Sequence, residues 1–190
     1  MRKLKLQMQV SVDGYVCGPN DEMDWMVWDW DNELKQFVGE LTNPVDHILL
    51  GRKLAEGFIP AWESMAEKPA DANEDKTFIY KMNDTAKTIF SRTLTASNWK
   101  NATLATENFI EEIAALKNQP GSDIIVYGGV DFVASLIQSG LIDEYHLFIN
   151  PSAIGKGRSI FKELNGTLQL KLVSAKSFAC GIVVMSYVPA

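Results

Sequence analysis

The residues best placed to do chemistry in this chain stand where apolar runs hand over to helical patterns. The stretch DIIVYGGVDFVASLIQSG, Asp123 to Gly140, passes from an apolar segment, Ile124 to Tyr127, through Gly128 and Gly129 into an amphipathic pattern. Phe132, Val133, Leu136 and Ile137 fall on one face of that pattern, and Gly140 stops it. The first N–H groups of such a helix have no intrahelical partner, and its dipole adds positive potential at the same end. A side chain at the turn would hold an anion away, whereas glycine lets backbone and phosphate approach. The pair therefore suits a pyrophosphate seat at the C-terminal edge of a sheet. A tight strand-to-helix turn without a ligand uses the same two residues, so both readings stand. Val130 and Asp131 after the glycines exclude G-x-G-x-x-G, no Lys-Ser or Lys-Thr follows to make a Walker loop, and GKGRS from Gly155 lacks that spacing too.

Two further places repeat this physics. LLGRK ends an apolar run at Leu50 and opens a helical pattern with Gly51, Arg52 and Lys53. FSRT ends another with Ser91 and Arg92, a hydroxyl and a guanidinium suited to a further phosphate. Three anion-friendly strand ends suggest a dinucleotide carrying three phosphates, as NADPH does. MDWMVWDWDNEL gathers Trp25, Trp28 and Trp30 among acids, and Trp62 lies further on. Each ring suits stacking on a flat heterocycle or plugging a core or interface. Asp13, beside Gly14, suits capping the turn, with substrate contact the other reading. Cys17, Cys180, His47 and His146 make no metal-ligand spacing, and no Ser-His-Asp signature marks a nucleophile. The thiols read as reduced, small buried residues.

The elements that must position these residues follow from periodicity. Leu4, Leu6, Met8, Val10 and Val12 alternate with polar residues, a strand signal. A Gly- and Pro-containing loop follows, then a helix from Asp31 with Leu34, Phe37, Val38 and Leu41 on one face and a stop at Asn43-Pro44. DHILLG predicts a buried strand, RKLAEGF one or two helical turns, AEKPADANEDK a polar loop and TFIYKMND a short helix. KTIFS and NATLA predict strands, and TENFIEEIAALKNQPG a helix capped by Thr106 or Asn108. EYHLFINP predicts a strand, SAIGKGRSIF a Gly-rich loop, and TLQLKLVSA with GIVVMSYV a terminal antiparallel pair. Strands and helices interleave before that pair, which predicts an α/β sheet with helices on its faces. With 190 residues, 46% hydrophobic and 22% charged, the chain can bury a globular core without staples, as one domain. The net charge of −6 argues against a general nucleic-acid binder. No apolar run reaches a membrane span, and MRKLKLQMQVSVDG lacks a signal peptide's apolar core, so the expectation is a cytoplasmic protein without a membrane partner.

Through VSVDGYVCGPNDEMDW, ILLGRK, IFSRT and IVYGGVDF the chain resembles the dihydrofolate reductase superfamily. The run GGVDFVASLIQSGLIDEYHLFINPSAIGKGRSIF is closer to one branch, the reductase (C-terminal) domain of the bifunctional riboflavin-biosynthesis deaminase–reductase and its stand-alone relatives. The resemblance spans Leu4 to Tyr187 and implies a dihydrofolate-reductase-like three-layer α/β fold. That fold has an eight-stranded, mostly parallel sheet, a C-terminal antiparallel strand and helices on both faces. It also implies NADPH, hydride transfer to an electron-poor C=N or C=O carbon, a small-molecule substrate and a homodimer. By the match, Val10 and Ser11 lie beneath the nicotinamide and the Gly14 to Met23 loop covers it. Gly51, Arg52 and Lys53 lie near phosphates, and Ser91 and Arg92 flank the adenosine 2′-phosphate. Tyr127, Gly128, Gly129, Val130 and Asp131 line the pyrophosphate and nicotinamide side. Trp25 matches a family tryptophan. Asp29, Asp31 and Glu33 straddle the place from which a folate reductase's carboxylate holds its pterin, so a folate reductase is the alternative, and a binding module that lost the chemistry a second. Lys156 and Arg158 suit a substrate phosphate.

Overall fold

The computed structural model describes residues 1–69, 76–105 and 108–190. Part of the polar stretch 66–76, and Thr106 as a helix cap, lie outside the described residues. Eight strands form one sheet: β1 (Leu4–Ser11), β2 (Val45–Gly51), β3 (Ala86–Phe90), β4 (Ala102–Leu104), β5 (Asp123–Val126), β6 (Glu144–Asn150), β7 (Leu170–Ser177) and β8 (Val183–Pro189). Their order is β4-β3-β2-β5-β1-β6-β8-β7. Every pairing from β4 to β6 is parallel, and β8 runs antiparallel to both β6 and β7. The expected eight-stranded, mostly parallel sheet with an opposed C-terminal strand is therefore present.

Among the described residues five helices cover it: α1 (Asn32–Thr42), α2 (Arg52–Glu67), α3 (Thr77–Asp84), α4 (Phe109–Asn118) and α5 (Val130–Gln138). On one face Ile113 and Leu116 of α4 and Val133, Leu136 and Ile137 of α5 pack on Leu4, Leu6, Ile124 and Val126. On the other face the apolar packing is split. Ala55 and Ile59 of α2 and Met82 of α3 meet Ile48, Leu50, Ile89 and Ile125. Leu34, Val38 and Leu41 of α1 meet Phe148, Ile182 and Val184. Between the two clusters runs the polar side of β1: Lys5, Gln7, Gln9 and Ser11 share a face because side chains alternate along a strand.

Local signals set most boundaries. Asp31 caps α1 by accepting from Leu34 N at 2.9 Å, and Asn108 caps α4 by accepting from Ile110 N at 2.9 Å. One helix departs from expectation. The turns predicted from RKLAEGF extend to a helix of 16 residues that runs through Pro60. Proline removes one backbone donor and crowds the preceding turn, yet Trp62 beyond it packs edge-on against Phe58 and Phe78, with centroids 5.9 and 5.6 Å away. Tertiary burial of that ring outweighs the local break.

Candidate active site

A cleft of about 2100 Å3 opens over β1, between α1 on one side and α2 and α3 on the other, and continues to the starts of α2 and α5. Those two starts meet. Gly51 and Gly129 are the N-cap residues, and neither helix has a side-chain cap. Gly51 N donates to Gly128 O at 3.1 Å, which joins the two turns. A Cβ on Gly51 would stand 3.1 Å from Gly129 N and 3.2 Å from Phe132 Cβ, so a larger residue would push the helix starts apart. Gly128 has φ +147°, a backbone conformation that favours glycine. At Gly129 the added Cβ would meet nothing within 4 Å. The space in front of α5 is thus open, and the first-turn N–H groups of two helices are left for a ligand. The arrangement suits an anion.

The charge around the cleft agrees with that geometry. Among the described residues, Lys35, Arg52, Lys53, Lys81, Arg92 and Arg158 line it against Asp21 and Asp131, in a chain whose net charge is −6. Arg158 bridges both acids, reaching Asp21 from the β1–α1 loop and, at 2.7 Å, Asp131 in the first turn of α5. Lys162 also pairs with Asp131, and Lys53 approaches Asp21 at 3.5 Å. Hydrogen bonds from Lys162 hold the Asp131 carboxyl below its ordinary value, and those from Arg158 do the same for Asp21. Arg52 pairs with Glu56 one turn on. Arg92 is exposed and has no ion-pair partner among the described residues. Ser91 Oγ accepts from Thr93 N and Leu94 N at 3.1 and 2.9 Å, so it also caps its own turn. Lys156 is exposed and does not line the cleft.

Gly51, Arg52, Lys53, Ser91, Arg92, Tyr127, Gly128, Gly129, Val130 and Asp131 therefore share one cleft, although they come from three separate stretches of chain. Trp62 joins them, with Trp28 and Trp30. Phe58 stacks on Tyr127 with centroids 5.4 Å apart, which completes an aromatic wall. The Tyr127 phenol is driven well above its ordinary value by burial and donates to Met82 Sδ at 3.5 Å, so it is a wall rather than an acid. Cys17 also lines the cleft; burial raises its thiol, which therefore stays protonated at neutral pH.

Seven expected residues do not line the cleft: Val10, Ser11, Asp13, Trp25, Asp29, Asp31 and Glu33. Val10 faces the opposite core. Ser11 donates to Asp13 Oδ1 at 2.7 Å, and Asp13 accepts from Ile154 N and Gly155 N at 3.1 and 2.7 Å, so this pair ties two loops together. Trp25 Nε1 donates to Glu22 O at 3.2 Å. Asp31 spends both oxygens, on Leu34 N and on Cys180 N at 2.9 Å each. Glu33 pairs with Lys176 at 2.9 Å, and Asp29 is exposed. The α1 residues that do line the cleft are Lys35, Gln36, Val38, Gly39 and Thr42, with no carboxylate among them.

Gln7 and Gln9 line the cleft and had not been singled out. The signal was available: alternating polar residues on a strand that a parallel sheet covers on both faces must point into something polar. The structure also strings together Ser186, His146 and Glu144. His146 Nδ1 lies 2.9 Å from Ser186 Oγ, and Nε2 lies 3.4 Å from Glu144 Oε2. Ser186 and His146 are buried and away from the cleft, so the string serves packing.

With the geometry in place, comparison with known proteins is direct. Residues 2–184 match the model of the RibD C-terminal domain family. The uncharacterized protein YyaP of Bacillus subtilis is 32% identical over 186 residues, covering 98% of this chain and 94% of that one. The Thermotoga maritima diaminohydroxyphosphoribosylaminopyrimidine deaminase/5-amino-6-(5-phosphoribosylamino)uracil reductase superposes with a TM-score of 0.70 at 16% identity, over 100% of this chain and 57% of that one. A dihydrofolate reductase from Enterococcus faecalis, complexed with NADP(H), superposes with a TM-score of 0.61 at 14% identity, over 98% and 96%. Among the described residues no helix is long and apolar enough to cross a membrane.

Proposed function

The chain belongs to the RibD C-terminal domain family, of dihydrofolate-reductase-like fold, and from that premise we propose that it is an NADPH-dependent reductase of small heterocyclic substrates. The ribosylaminopyrimidine type named for the Thermotoga protein is the preferred class. The observation that carries this reading is the meeting of two glycine-capped helix starts in one basic cleft. NADPH bound there would supply the hydride. The chain's own residues fit such a group. The α2 and α5 N–H groups suit the pyrophosphate, and the open space at Gly129 admits it. Arg92, without an ion-pair partner among the described residues, suits the 2′-phosphate. Phe58, Trp62, Phe78 and Tyr127 make an aromatic wall, with Trp62 edge-on to its neighbours, that orients a ring and excludes water. No side chain of this cleft is assigned as nucleophile, and the role of protein groups is positioning.

The absence of a carboxylate among the α1 residues lining the cleft weighs for a pyrimidine-type substrate over folate, since Asp29, Asp31 and Glu33 all stand elsewhere. A homodimer belongs to the same reading, supported by Leu172 and Val173, large apolar residues exposed on the edge strand β7; sedimentation measures it. The function is tested by titrating NADPH against tryptophan fluorescence, because Trp28, Trp30 and Trp62 line the cleft. Quenching that saturates is the expected result. No change at millimolar NADPH would refute the reading and favour a binding module without redox chemistry.

A further inference from the structure

The floor of the cleft carries two carboxamides whose hydrogen bonding is unequal. Gln9 Oε1 accepts from Asn150 Nδ2 at 2.7 Å. The orientation of Asn150 is fixed by two backbone groups: its Oδ1 accepts from Val27 N at 2.8 Å, and its Nδ2 donates to Phe148 O at 3.1 Å. An amide N–H can only donate and a carbonyl only accept, so the Asn150 nitrogen must face Gln9, and Gln9 must answer with oxygen. What Gln9 has left for the cleft is its NH2 group. Gln7, two residues earlier on the same side of β1, is only 7% exposed, and its Oε1 is sealed from solvent without a partner. A buried acceptor left unpaired is costly to keep, so this oxygen has capacity to spare for a ligand. The same cleft is walled by aromatic rings: Trp30, Phe58, Trp62, Phe78 and Tyr127. Lys5, next on the same side of the strand, is spent on Asp123 at 2.7 Å, so no free charge of β1 joins the pair.

We infer that Gln7 and Gln9 are the specificity residues of the substrate half of the cleft, reading the polar edge of an uncharged planar ring. Gln9 donates to a ring carbonyl. Gln7, which no protein group orients, turns to match the neighbouring ring N–H or carbonyl. A pair of neutral amides satisfies a lactam edge, N–H beside C=O, without an uncompensated charge, and leaves an all-carbon edge or an anionic one unmatched. This rests on the proposed function only in placing the substrate here.

The test uses 2-pyridone, a small neutral lactam, with 1-methyl-2-pyridone and benzene as companions, titrated by NMR into the whole protein with and without NADPH. The wild type is expected to bind 2-pyridone about 10-fold more tightly than benzene, and 1-methyl-2-pyridone, which keeps the carbonyl and loses the N–H, in between. Gln7→Leu removes the difference between the two pyridones, Gln9→Leu weakens both equally, and NADPH affinity is unchanged in each. Gln7→Leu also raises the melting temperature, because it deletes a buried unpaired amide, whereas a residue with a purely structural role would lower it. A wild type that binds benzene and 2-pyridone alike overturns the inference, as does a Gln7→Leu variant that is less stable and keeps the pyridone preference. Failure of NADPH to bind with the lactam preference intact would instead overturn the cofactor assignment and leave the carboxamide pair standing.

Discussion

Replacing Gly129 by aspartate separates folding from cofactor binding in one experiment. The backbone there has φ −84° and ψ −180°, which any residue adopts, and the added Cβ meets nothing within 4 Å. The position is the uncapped N-cap of α5. Aspartate is a preferred N-cap, worth a few tenths of a kcal/mol over glycine, and its charge against the helix dipole adds about 0.3–1 kcal/mol. Gly129→Asp is therefore expected to fold with an unchanged or slightly raised melting temperature. The same carboxylate occupies the space in front of the helix and competes for its first-turn N–H groups. Against a pyrophosphate charge a few Å away, at an effective dielectric near 20, repulsion is about 2–4 kcal/mol, or roughly 30- to 1000-fold in affinity. Gly129→Ala adds only a methyl group and is expected to cost a few-fold. Fluorescence titration with NADPH, alongside thermal melts of the same samples, measures both quantities. A folded aspartate variant that binds NADPH as tightly as wild type would refute the phosphate seat, and a variant that fails to fold would refute the open space in front of α5.

Other substitutions probe separate parts of the cleft. Arg92→Ala removes an exposed cation with no ion-pair partner among the described residues, so stability holds while NADPH affinity falls about 10- to 100-fold; NADH affinity, measured in parallel, stays the same. Arg158→Met unbridges Asp21 and Asp131 beside the phosphate seat; NADPH affinity is expected to fall about 10-fold while the melting temperature barely moves, since exposed ion pairs contribute only about 0.2–1 kcal/mol. Burial depresses His47 from 6.5 to about 4. Between those values the unfolded chain binds more protons than the folded one, so stability rises with pH across the window and is lost as the pH falls through it. From pH 7 to 5 the loss is about 1 kcal/mol after allowance for partial exposure of the ring. Urea midpoints at the two pH values measure it, and His47→Gln should remove that part of the slope.

Much of the fold was legible because its signals are short-ranged. Period-two runs gave β1 and the terminal pair, short apolar runs gave strands between them, and Asp31 and Asn108 marked helix starts through bonds to backbone two or three residues away. The glycines at Gly51, Gly128 and Gly129 announced tight turns whatever surrounds them. Where sequence reasoning fell short, distant partners decided. RKLAEGF reads as one or two helical turns, yet Trp62 packs on Phe78 of the next helix and α2 continues through Pro60. The acids from Asp29 to Glu33 look alike in sequence, but Cys180 and Lys176, far along the chain, claim two of them. Arg158 meets Asp21 across 137 residues of sequence.

The sequence by itself determined the element types, their order and the anion-friendly strand ends, since each depends on backbone geometry within a turn or two. Only the tertiary structure decided which polar side chains line the cleft. Gln7 and Gln9 alternate with apolar residues as any half-exposed strand would. The sheet order places β1 between β5 and β6, with helices above and below, and turns that polar side into the floor of a cleft. Burial is a property of what packs on a residue, and nothing within a few positions of Gln7 specifies its cover.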